Sequence, residues 1–375
     1  MDGSTLLLVA VVAVALFFDF TNGFHDAANA IATSVSTRAL SPRMAVLMAA
    51  GLNFAGAFVS IKVAATVAKG IVNPDAITLR ILLAGLIGAI AWNLITWYLG
   101  LPSSSSHALI GGMMGAVIAA AGFDAVKWGG LEEKVLIPSL AAPFLGMIGS
   151  VVFMTAIVWI IRRRSPGVVN RVFRRLQVVS AGFVSFTHGT NDAQKTMGII
   201  TLALIASGHL SGENFDVPVW VIVAAALAMG AGTYAGGWRI IRTLGQRIAK
   251  LEPPQGFAAE AATGLTLYFT AHYGFPVSTT HTIAGSVLGA GATRRFSAVR
   301  WGVAGNIVAA WLMTIPCAGL VGAAMQTVTR LPGGAVIVFA FGGVIAIAAF
   351  LARAHQTRSP EPQPLRARLV KLAGR

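Results

Sequence analysis

The sequence predicts an all-α polytopic membrane protein made of two inverted-topology repeats, each with a broken helix and a re-entrant helical hairpin. Three observations support this fold class. Hydrophobic residues make up 56% of the 375 residues, charged residues make up 11%, and the mean hydropathy is +0.75, whereas soluble domains carry about 25% charged residues. Apolar stretches long enough to cross a bilayer recur along the chain. Two polar motifs each occur once in either half.

Each predicted span is an apolar stretch of about 20 residues or more, the length that crosses the hydrocarbon layer of a bilayer. The first stretch has no preceding Lys or Arg and continues into an acidic motif, so we interpret it as a retained span rather than a signal peptide. Two regions, 78–121 and 257–293, are interrupted at Pro102 and Pro276, and we expect each to be a hairpin that enters and leaves on the same side. The approximate spans are 5–35, 43–66, 136–161, 178–207, 217–238, 301–326 and 333–352.

The positive charge of the chain indicates orientation in a membrane rather than nucleic-acid binding. The 28 Lys and Arg exceed the 13 Asp and Glu, which gives a net charge of +15, and they are concentrated between apolar stretches, as the positive-inside rule describes. We therefore expect a multi-pass protein of the cell inner (plasma) membrane, with the amino terminus outside, the carboxy terminus cytoplasmic and the two halves in opposite orientations. The divisions are repeat 1 at 1–161 with its hairpin at about 78–121, a basic cytoplasmic linker at 162–177, repeat 2 at 178–326 with its hairpin at about 257–293, and a final membrane helix and basic cytoplasmic tail at 327–375.

An acidic motif occurs once in each half, at Asp26 with Asn29 and at Asp192 with Lys195. The i, i+3 spacing places both side chains of each pair on one face of a helix. Carboxylates inside a membrane are costly, so a chain that repeats one at matched positions is expected to build a functional site there. The alternative is a purely structural hydrogen bond. A structural role is what we expect for three unmatched charged residues near the spans, Asp19, Lys62 and Glu260.

A glycine stands three residues before each aspartate, at Gly23 and Gly189. Glycine weakens a helix, so we expect the helix to break at these two positions and to expose backbone groups to a ligand. These breaks would give each repeat its broken helix.

Each hairpin turn carries a proline followed closely by at least three consecutive hydroxyl residues that open an apolar helical stretch. A helix N-terminus offers unpaired N–H groups and a positive dipole end, which favour an anion. N-capping alone would need one hydroxyl, whereas each turn has at least three, so we favour binding of a tetrahedral oxyanion. The candidate anion-binding residues are Ser104, Ser105, Ser106, Ser278, Thr279 and Thr280, together with Lys195 and Asn29.

Histidines follow both turns, at His107 and His281, and His25 directly precedes the first aspartate. These three residues are candidates for a proton relay, because histidine changes its charge near neutral pH. The alternative is a packed, hydrogen-bonded side chain that orients the turn.

The charge balance predicts cotransport of a cation. A divalent oxyanion beside Asp26 and Asp192 would bring four negative charges together, and Lys195 offsets one of them. An excess of three negative charges is not tolerable in a low-dielectric site, so a cation must enter with the anion. No bound cofactor is expected. The cation-coupling candidates are Asp26, Asp192, Asn29 and Asn191, and the two aspartates are also the candidates for holding a metal ion.

In these motifs the chain resembles the PiT family of inorganic phosphate transporters, and in particular its bacterial low-affinity phosphate carriers. That family has a Gly-x-Asn-Asp-x-Ala-Asn type signature and a Pro-x-Ser-x-Thr-His type turn in each half. The matches are 23–29, 189–195, 102–107 and 276–281, within a resemblance that covers about residues 15–326. The resemblance implies an inverted-repeat fold, with phosphate held by the Ser/Thr turns and cations held near the two Asp-containing helices.

Two departures from the family signature bear on the coupling ion. His25 and Lys195 each stand where the signature often has asparagine. Family members that use sodium are expected to coordinate it with Asp and Asn, and a fixed ammonium would occupy or repel one such cation. The resemblance therefore implies a secondary active symporter that imports inorganic phosphate with protons, or phosphate as a metal complex, with sodium less favoured.

Several other functions compete with proton-coupled phosphate import. A sulfate carrier of the same family and a sodium-coupled phosphate symporter would use the same motifs. A membrane-embedded hydrolase using Ser106 or Thr280 is disfavoured, because the sequence has no Gly-x-Ser-x-Gly elbow and no His-Glu-x-x-His motif. An anion channel would need cations to pass the paired aspartates as well. The expected partners are inorganic phosphate and membrane lipid, without nucleic acid, and assembly into a homo-oligomer is compatible with the sequence.

Overall fold

The computed structural model describes residues 3–73, 76–211 and 215–358, and all regular elements within these ranges are helices, which confirms the all-α fold class. Most of the predicted basic tail, at 359–375, lies outside the described residues. The helices are α1 (Gly3–Ser36), α2 (Pro42–Gly56), α3 (Lys62–Lys69), α4 (Leu79–Leu99), α5 (Ser105–Ala121), α6 (Trp128–Leu131), α7 (Ile137–Ile161), α8 (Pro166–Ala206), α9 (Val219–Ala235), α10 (Trp238–Arg242), α11 (Pro253–His272), α12 (Thr279–Ala292), α13 (Trp301–Thr329) and α14 (Gly334–Arg358).

Five helical segments in the described ranges are long and apolar enough to cross a membrane. A sixth candidate is the pair Val219–Ala235 and Trp238–Arg247, which bends by 59° at a short break. These segments confirm the prediction of a protein with several membrane-spanning helices. The five are Gly3–Ser36, Leu79–Leu99, Trp128–Ile161, Trp301–Thr329 and Gly334–Ala352.

Two helical hairpins lie close to their predicted positions, α4 with α5 and α11 with α12. Gly100 and Gly274 follow the first arms with φ of 69° and 76°, a left-handed conformation that favours glycine. Prolines two residues later cannot continue the helix. The second arms have 17 and 14 residues, so at 1.5 Å per residue they are about 25 and 21 Å long, shorter than the roughly 30 Å hydrocarbon layer. The re-entrant path of the hairpins remains a prediction.

The two halves share local details. A short antiparallel bridge joins Val72 to Val126 in the first half, and a second joins Ala249 to Val299 in the second half. Near each bridge a tryptophan indole N–H donates to a carbonyl oxygen five residues earlier, at 3.1 Å in both halves.

Packing between the halves is reciprocal. Helix α5 lies against α13 while α12 lies against α7, and α1 lies against α9 while α8 lies against α2. An approximate twofold relation between two similar halves produces such a pattern. Their inverted orientation across a membrane remains a prediction.

The helix breaks lie at other positions than the sequence predicted. Helices α1 and α8 run without interruption through Gly23 and Gly189, so the predicted breaks at these glycines are wrong. The breaks lie instead between α2 and α3, and between α9 and α10. The two glycines allow close helix packing, because an added Cβ would lie 2.4 Å from the Met229 carbonyl oxygen at Gly23, and 2.1 Å from that of Asn53 at Gly189.

The basic linker predicted at 162–177 is helical over most of its length. Pro166 begins α8, where proline is favoured because the first turn needs no N–H donor, and the helix then continues for 41 residues to Ala206. The linker therefore connects to the acidic motif of the second half through one continuous helix.

Candidate functional site

The polar segments of α1 and α8 lie in the interior of the molecule. Residues 21–34 of α1 and 187–204 of α8 are buried without interruption. The N-termini of α5 and α12, which carry the two hydroxyl runs, contact these segments directly. The four motifs singled out in the sequence therefore meet at one place, as their duplication predicts.

The amide of Asn29 in the first half binds the hydroxyl run of the second half. Its Nδ2 donates to Thr279 Oγ1 at 3.0 Å and to Thr280 Oγ1 at 2.9 Å. The same hydroxyls donate to the carboxylate of Asp26 at longer distances, 3.4 and 3.5 Å. Asn29 and Asp26 thus hold the turn of the other half, while the Oδ1 atom of Asn29 has no hydrogen-bond partner.

Lys195 makes the reciprocal contact, from the second half to the first. Its Nζ donates to Ser106 Oγ at 2.5 Å and to Asp192 Oδ1 at 2.5 Å, and it reaches the Val277 carbonyl oxygen at 3.4 Å. A buried ammonium needs acceptors of this kind, because an unpaired charge in the interior is costly. The contact with Asp192 confirms that the two side chains share one helix face.

One hydroxyl of each run caps its helix, and the other two take no part in capping. Ser104 Oγ accepts a hydrogen bond from the His107 backbone N–H, and Ser278 Oγ accepts one from the His281 backbone N–H, both at 3.2 Å. The hydroxyl of Ser105 is buried and has no hydrogen-bond partner. Capping therefore accounts for the first residue of each run and not for the following two.

His188 lies between the two aspartates, a position that the sequence analysis missed. Its Nε2 is 3.2 Å from Asp192 Oδ2 and 4.0 Å from Asp26 Oδ2, and its Nδ1 is 3.0 Å from Asn53 Oδ1. The i, i+4 spacing of His188 and Asp192 was the available signal, because it places both on one helix face. Asp26, His188 and Asp192 each present a potential ligand atom within 4.8 Å of the others, so this group could hold a metal ion or a proton.

His25 begins a hydrogen-bonded path that leads away from the first aspartate. Its Nδ1 lies 2.8 Å from Asp26 Oδ1, and its Nε2 lies 3.2 Å from Thr96 Oγ1. The Thr96 hydroxyl accepts in turn from Ser103 Oγ at 2.8 Å. Of the three predicted relay histidines, His25 therefore contacts a site carboxylate directly.

His107 and His281 lie side by side, with ring centroids 4.7 Å apart. His107 Nε2 is 2.7 Å from Ser139 Oγ on α7, and the ring of His281 packs against Trp311 on α13 at 4.0 Å between centroids. These contacts anchor the two turns to each other and to helices outside the hairpins, which is the geometry expected of histidines that orient the turns.

Asn191 contacts the second turn. Its Nδ2 donates to the Phe275 carbonyl oxygen at 3.3 Å, while its Oδ1 has no hydrogen-bond partner. This predicted cation-coupling residue therefore keeps an unused oxygen acceptor in the interior.

The site is closed to solvent. Each of the predicted site residues is at most 5% exposed, including the ammonium and carboxylate side chains. Within this closed space Lys195 pairs with Asp192, and His25 and His188 flank Asp26. Charged groups from both halves are therefore held together in the interior of the molecule.

A model of the phosphate transporter family matches residues 22–168 and residues 162–322. The chain belongs to this family. The two matched ranges overlap at residues 162–168 and together cover most of the chain.

Relatives and a solved structure support the same assignment. A probable low-affinity inorganic phosphate transporter of Mycobacterium bovis is 50% identical over 359 residues, covering 94% of this chain and 85% of the relative. A protein of Rhizobium meliloti with the same name is 51% identical over 318 residues, covering 84% and 95%. A sodium-dependent phosphate transporter of known structure matches with a TM-score of 0.78 at 25% identity, covering 87% of this chain and 99% of that chain. The predicted resemblance is confirmed, and the protein is a membrane transporter rather than an enzyme.

Proposed function

We propose that this member of the phosphate transporter family imports inorganic phosphate together with protons, by secondary active symport through the buried site. The observation that carries the proposal is the exchange of contacts between the halves. Asn29 of the first half binds the second hydroxyl run, and Lys195 of the second half binds the first run. An anion held between the runs would touch both halves at once, so its binding would be coupled to their movement.

The hydroxyl runs supply neutral donors for a tetrahedral oxyanion. Each run opens a helix, where free N–H groups and the positive end of the helix dipole favour negative charge. The hydroxyls that remain after capping would bind phosphate oxygens, with the Lys195 ammonium as a fixed positive charge. The four hydroxyls are those of Ser105, Ser106, Thr279 and Thr280.

Charge balance supports entry of a cation with the anion. A divalent phosphate added to Asp26 and Asp192 gives four negative charges against the single ammonium of Lys195, which a buried site cannot hold without further positive charge. His188 between the carboxylates and His25 beside Asp26 are positioned to carry protons.

Protons are favoured over sodium because of the position of Lys195. Its ammonium lies 2.5 Å from Asp192 Oδ1, where it takes the place that a metal cation would occupy on that oxygen. A neutral metal–phosphate complex would also satisfy the charge balance, since it brings its own cation. Sodium-coupled transport and sulfate transport are the competing proposals within the same family.

Transport by purified protein in proteoliposomes tests the coupling ion. Radiolabelled phosphate uptake is measured with the pH gradient, the sodium gradient and divalent metal ions varied one at a time. We expect an inward proton gradient to drive accumulation in sodium-free buffer. Accumulation driven by a sodium gradient alone, at equal pH on both sides, would overturn proton coupling. Uptake that requires a divalent metal would favour the metal–phosphate complex.

Competition distinguishes phosphate from sulfate as the substrate. Phosphate near neutral pH carries a proton that it can donate to a site acceptor, whereas sulfate does not. The unpartnered Oδ1 atoms of Asn29 and Asn191 are acceptors that such a proton could reach. We expect excess sulfate to leave phosphate uptake unchanged. Strong inhibition by sulfate, together with accumulation of labelled sulfate, would favour the alternative.

The proposed orientation places the amino terminus outside and the carboxy terminus in the cytoplasm of the inner membrane. It can be tested with single cysteines after Cys317 is replaced, since Cys317 is the one cysteine of the chain. The exposed positions Arg164 and Asp124 lie on opposite sides in this orientation. An impermeant thiol reagent added to whole cells should label Asp124→Cys and not Arg164→Cys, and the reverse result would invert the topology.

A further inference from the structure

Asp19 on α1 is a buried carboxylate without a hydrogen-bond partner. Its side chain is 0% exposed, and neither Oδ1 nor Oδ2 is bonded. An ionised carboxylate without donors is costly in the protein interior, so a group of this kind requires a compensating positive charge. The sequence predicts a structural role for Asp19, but a structural role alone does not supply that positive charge.

The other buried carboxylates in the described part of the chain each have partners. Asp26 has His25 and Asp192 has Lys195. Glu260 accepts hydrogen bonds from the hydroxyls of Thr33, Ser34 and Ser180. Burial of carboxylates is therefore accompanied by donors elsewhere in this protein, and Asp19 departs from that pattern.

Two further polar side chains near Asp19 each have an oxygen without a hydrogen-bond partner. Asn22 lies one helical turn along α1, and Thr196 comes from α8. The Oδ1 of Asn22 and the Oγ1 of Thr196 have no hydrogen-bond partner, and both residues are at most 1% exposed. The charged groups that face Asp19 from α8 are Asp192 and His188.

We propose that Asp19, Asn22 and Thr196 form a binding site for one monovalent cation, either a proton or Na⁺. The site offers only oxygen atoms, from a carboxylate, an amide and a hydroxyl, which are ligands suited to a hard cation. A proton on Asp19 would instead be donated to Asn22 Oδ1, and the second carboxylate oxygen would accept from the Thr196 hydroxyl. Either occupant neutralises the carboxylate and uses the unpartnered oxygens.

This site is distinct from the group formed by Asp26, His188 and Asp192, and it goes beyond the proposed function. A cation at Asp19 would reduce the electrostatic repulsion between Asp19 and Asp192. The site could therefore act on the electrostatics of the transport site without contacting the transported anion.

The test measures cation binding by the purified full-length protein in phosphate-free buffer, so its outcome does not depend on phosphate transport. Infrared spectroscopy detects the C=O stretch of a protonated carboxylic acid, and binding of radioactive ²²Na⁺ detects the metal cation. Both are measured for wild type, Asp19→Asn and the control Asp124→Asn, which changes an exposed carboxylate.

We expect Asp19→Asn to remove either the carboxylic-acid band or a ²²Na⁺ site, and Asp124→Asn to remove neither. Loss of the band identifies the proton as the occupant, and loss of ²²Na⁺ binding identifies sodium. A folded Asp19→Asn protein that retains both signals of the wild type, or a wild type with neither signal, would overturn the proposal. If Asp19→Asn does not fold, Thr196→Val tests the proposal instead. This variant should shift the carboxylic-acid band or weaken ²²Na⁺ binding. No change in either signal would overturn the proposed cation site.

Discussion

Lys195 in the second half of the chain donates a hydrogen bond to Ser106 in the first half, with 2.5 Å between Nζ and Oγ. The same ammonium binds Asp192 one helical turn earlier on α8. A single side chain therefore connects an acidic helix, a hydroxyl turn and the boundary between the two halves.

Replacing Lys195 by asparagine should weaken phosphate binding. A hydrogen bond to a charged group contributes about 1.5–3 kcal/mol, which corresponds to a roughly 10- to 150-fold increase in the KM for phosphate. Loss of the ammonium also frees Asp192 Oδ1, so the variant should acquire some dependence on sodium. Proteoliposome uptake at varied phosphate and sodium concentrations measures both effects. The exposed Lys250→Asn serves as control, and a Lys195→Asn protein with wild-type kinetics would remove Lys195 from the site.

Asp192→Asn should abolish concentrative uptake while the protein still reaches the membrane. The carboxylate contacts both Lys195 and His188, so its loss leaves the ammonium without its buried counter-charge and removes a proton acceptor. Gradient-driven accumulation and protein abundance in the membrane are measured together, with the exposed Glu133→Gln as control. Normal accumulation by Asp192→Asn would contradict a coupling role for this residue.

His188→Gln should flatten the dependence of phosphate uptake on pH. Glutamine keeps a polar side chain between Asp26 and Asp192 but cannot gain a proton in the physiological range. Initial rates are compared across a pH series in wild type, His188→Gln and His209→Gln, which alters an exposed histidine. An unchanged pH profile in His188→Gln would assign His188 to packing alone.

Ser104→Ala and Ser105→Ala should affect different properties of the protein, because only Ser104 caps α5. Loss of an N-cap costs about 1 kcal/mol, so Ser104→Ala should lower the Tm. Ser105 has no hydrogen-bond partner, so Ser105→Ala should leave the Tm unchanged. The variant should raise the KM for phosphate roughly 2- to 10-fold, which corresponds to the loss of one neutral hydrogen bond to the anion. A Ser105→Ala protein with lower Tm and normal KM would contradict this division of roles.

Gly189→Ala should destabilise the protein by about 1–3 kcal/mol or more, since overpacking forces helices apart. The added methyl group would lie 2.1 Å from the Asn53 carbonyl oxygen, against a neighbouring helix that cannot move without disturbing the site. Gly167→Ala on the same helix is the matched control, because no atom lies within 4 Å of an added Cβ there. Thermal unfolding in detergent measures both variants, and equal Tm values would contradict the close-packing role.

The sequence predicted which residues meet better than it predicted how the helices run. Duplication and i, i+3 spacing were enough to place Asp192 beside Lys195, because both are properties of a single helix. Gly23 and Gly189 were interpreted as breaks because spacing along one helix does not reveal the helix packed against it. His188 was missed since its position between Asp26 and Asp192 depends on how α1 and α8 approach each other.

The contacts that Asn29 and Lys195 make with the opposite half limit which halves could be combined in one protein. The first half presents asparagine at the position where the second half presents lysine. Two copies of the first half would bring no ammonium to the hydroxyl turns, and two copies of the second half would bring a pair that repel each other. Joining one half of each kind in a single polypeptide fixes the number of ammonium groups at the hydroxyl turns at one. The charges along the pathway are therefore asymmetric even where the helices that surround it are nearly symmetric.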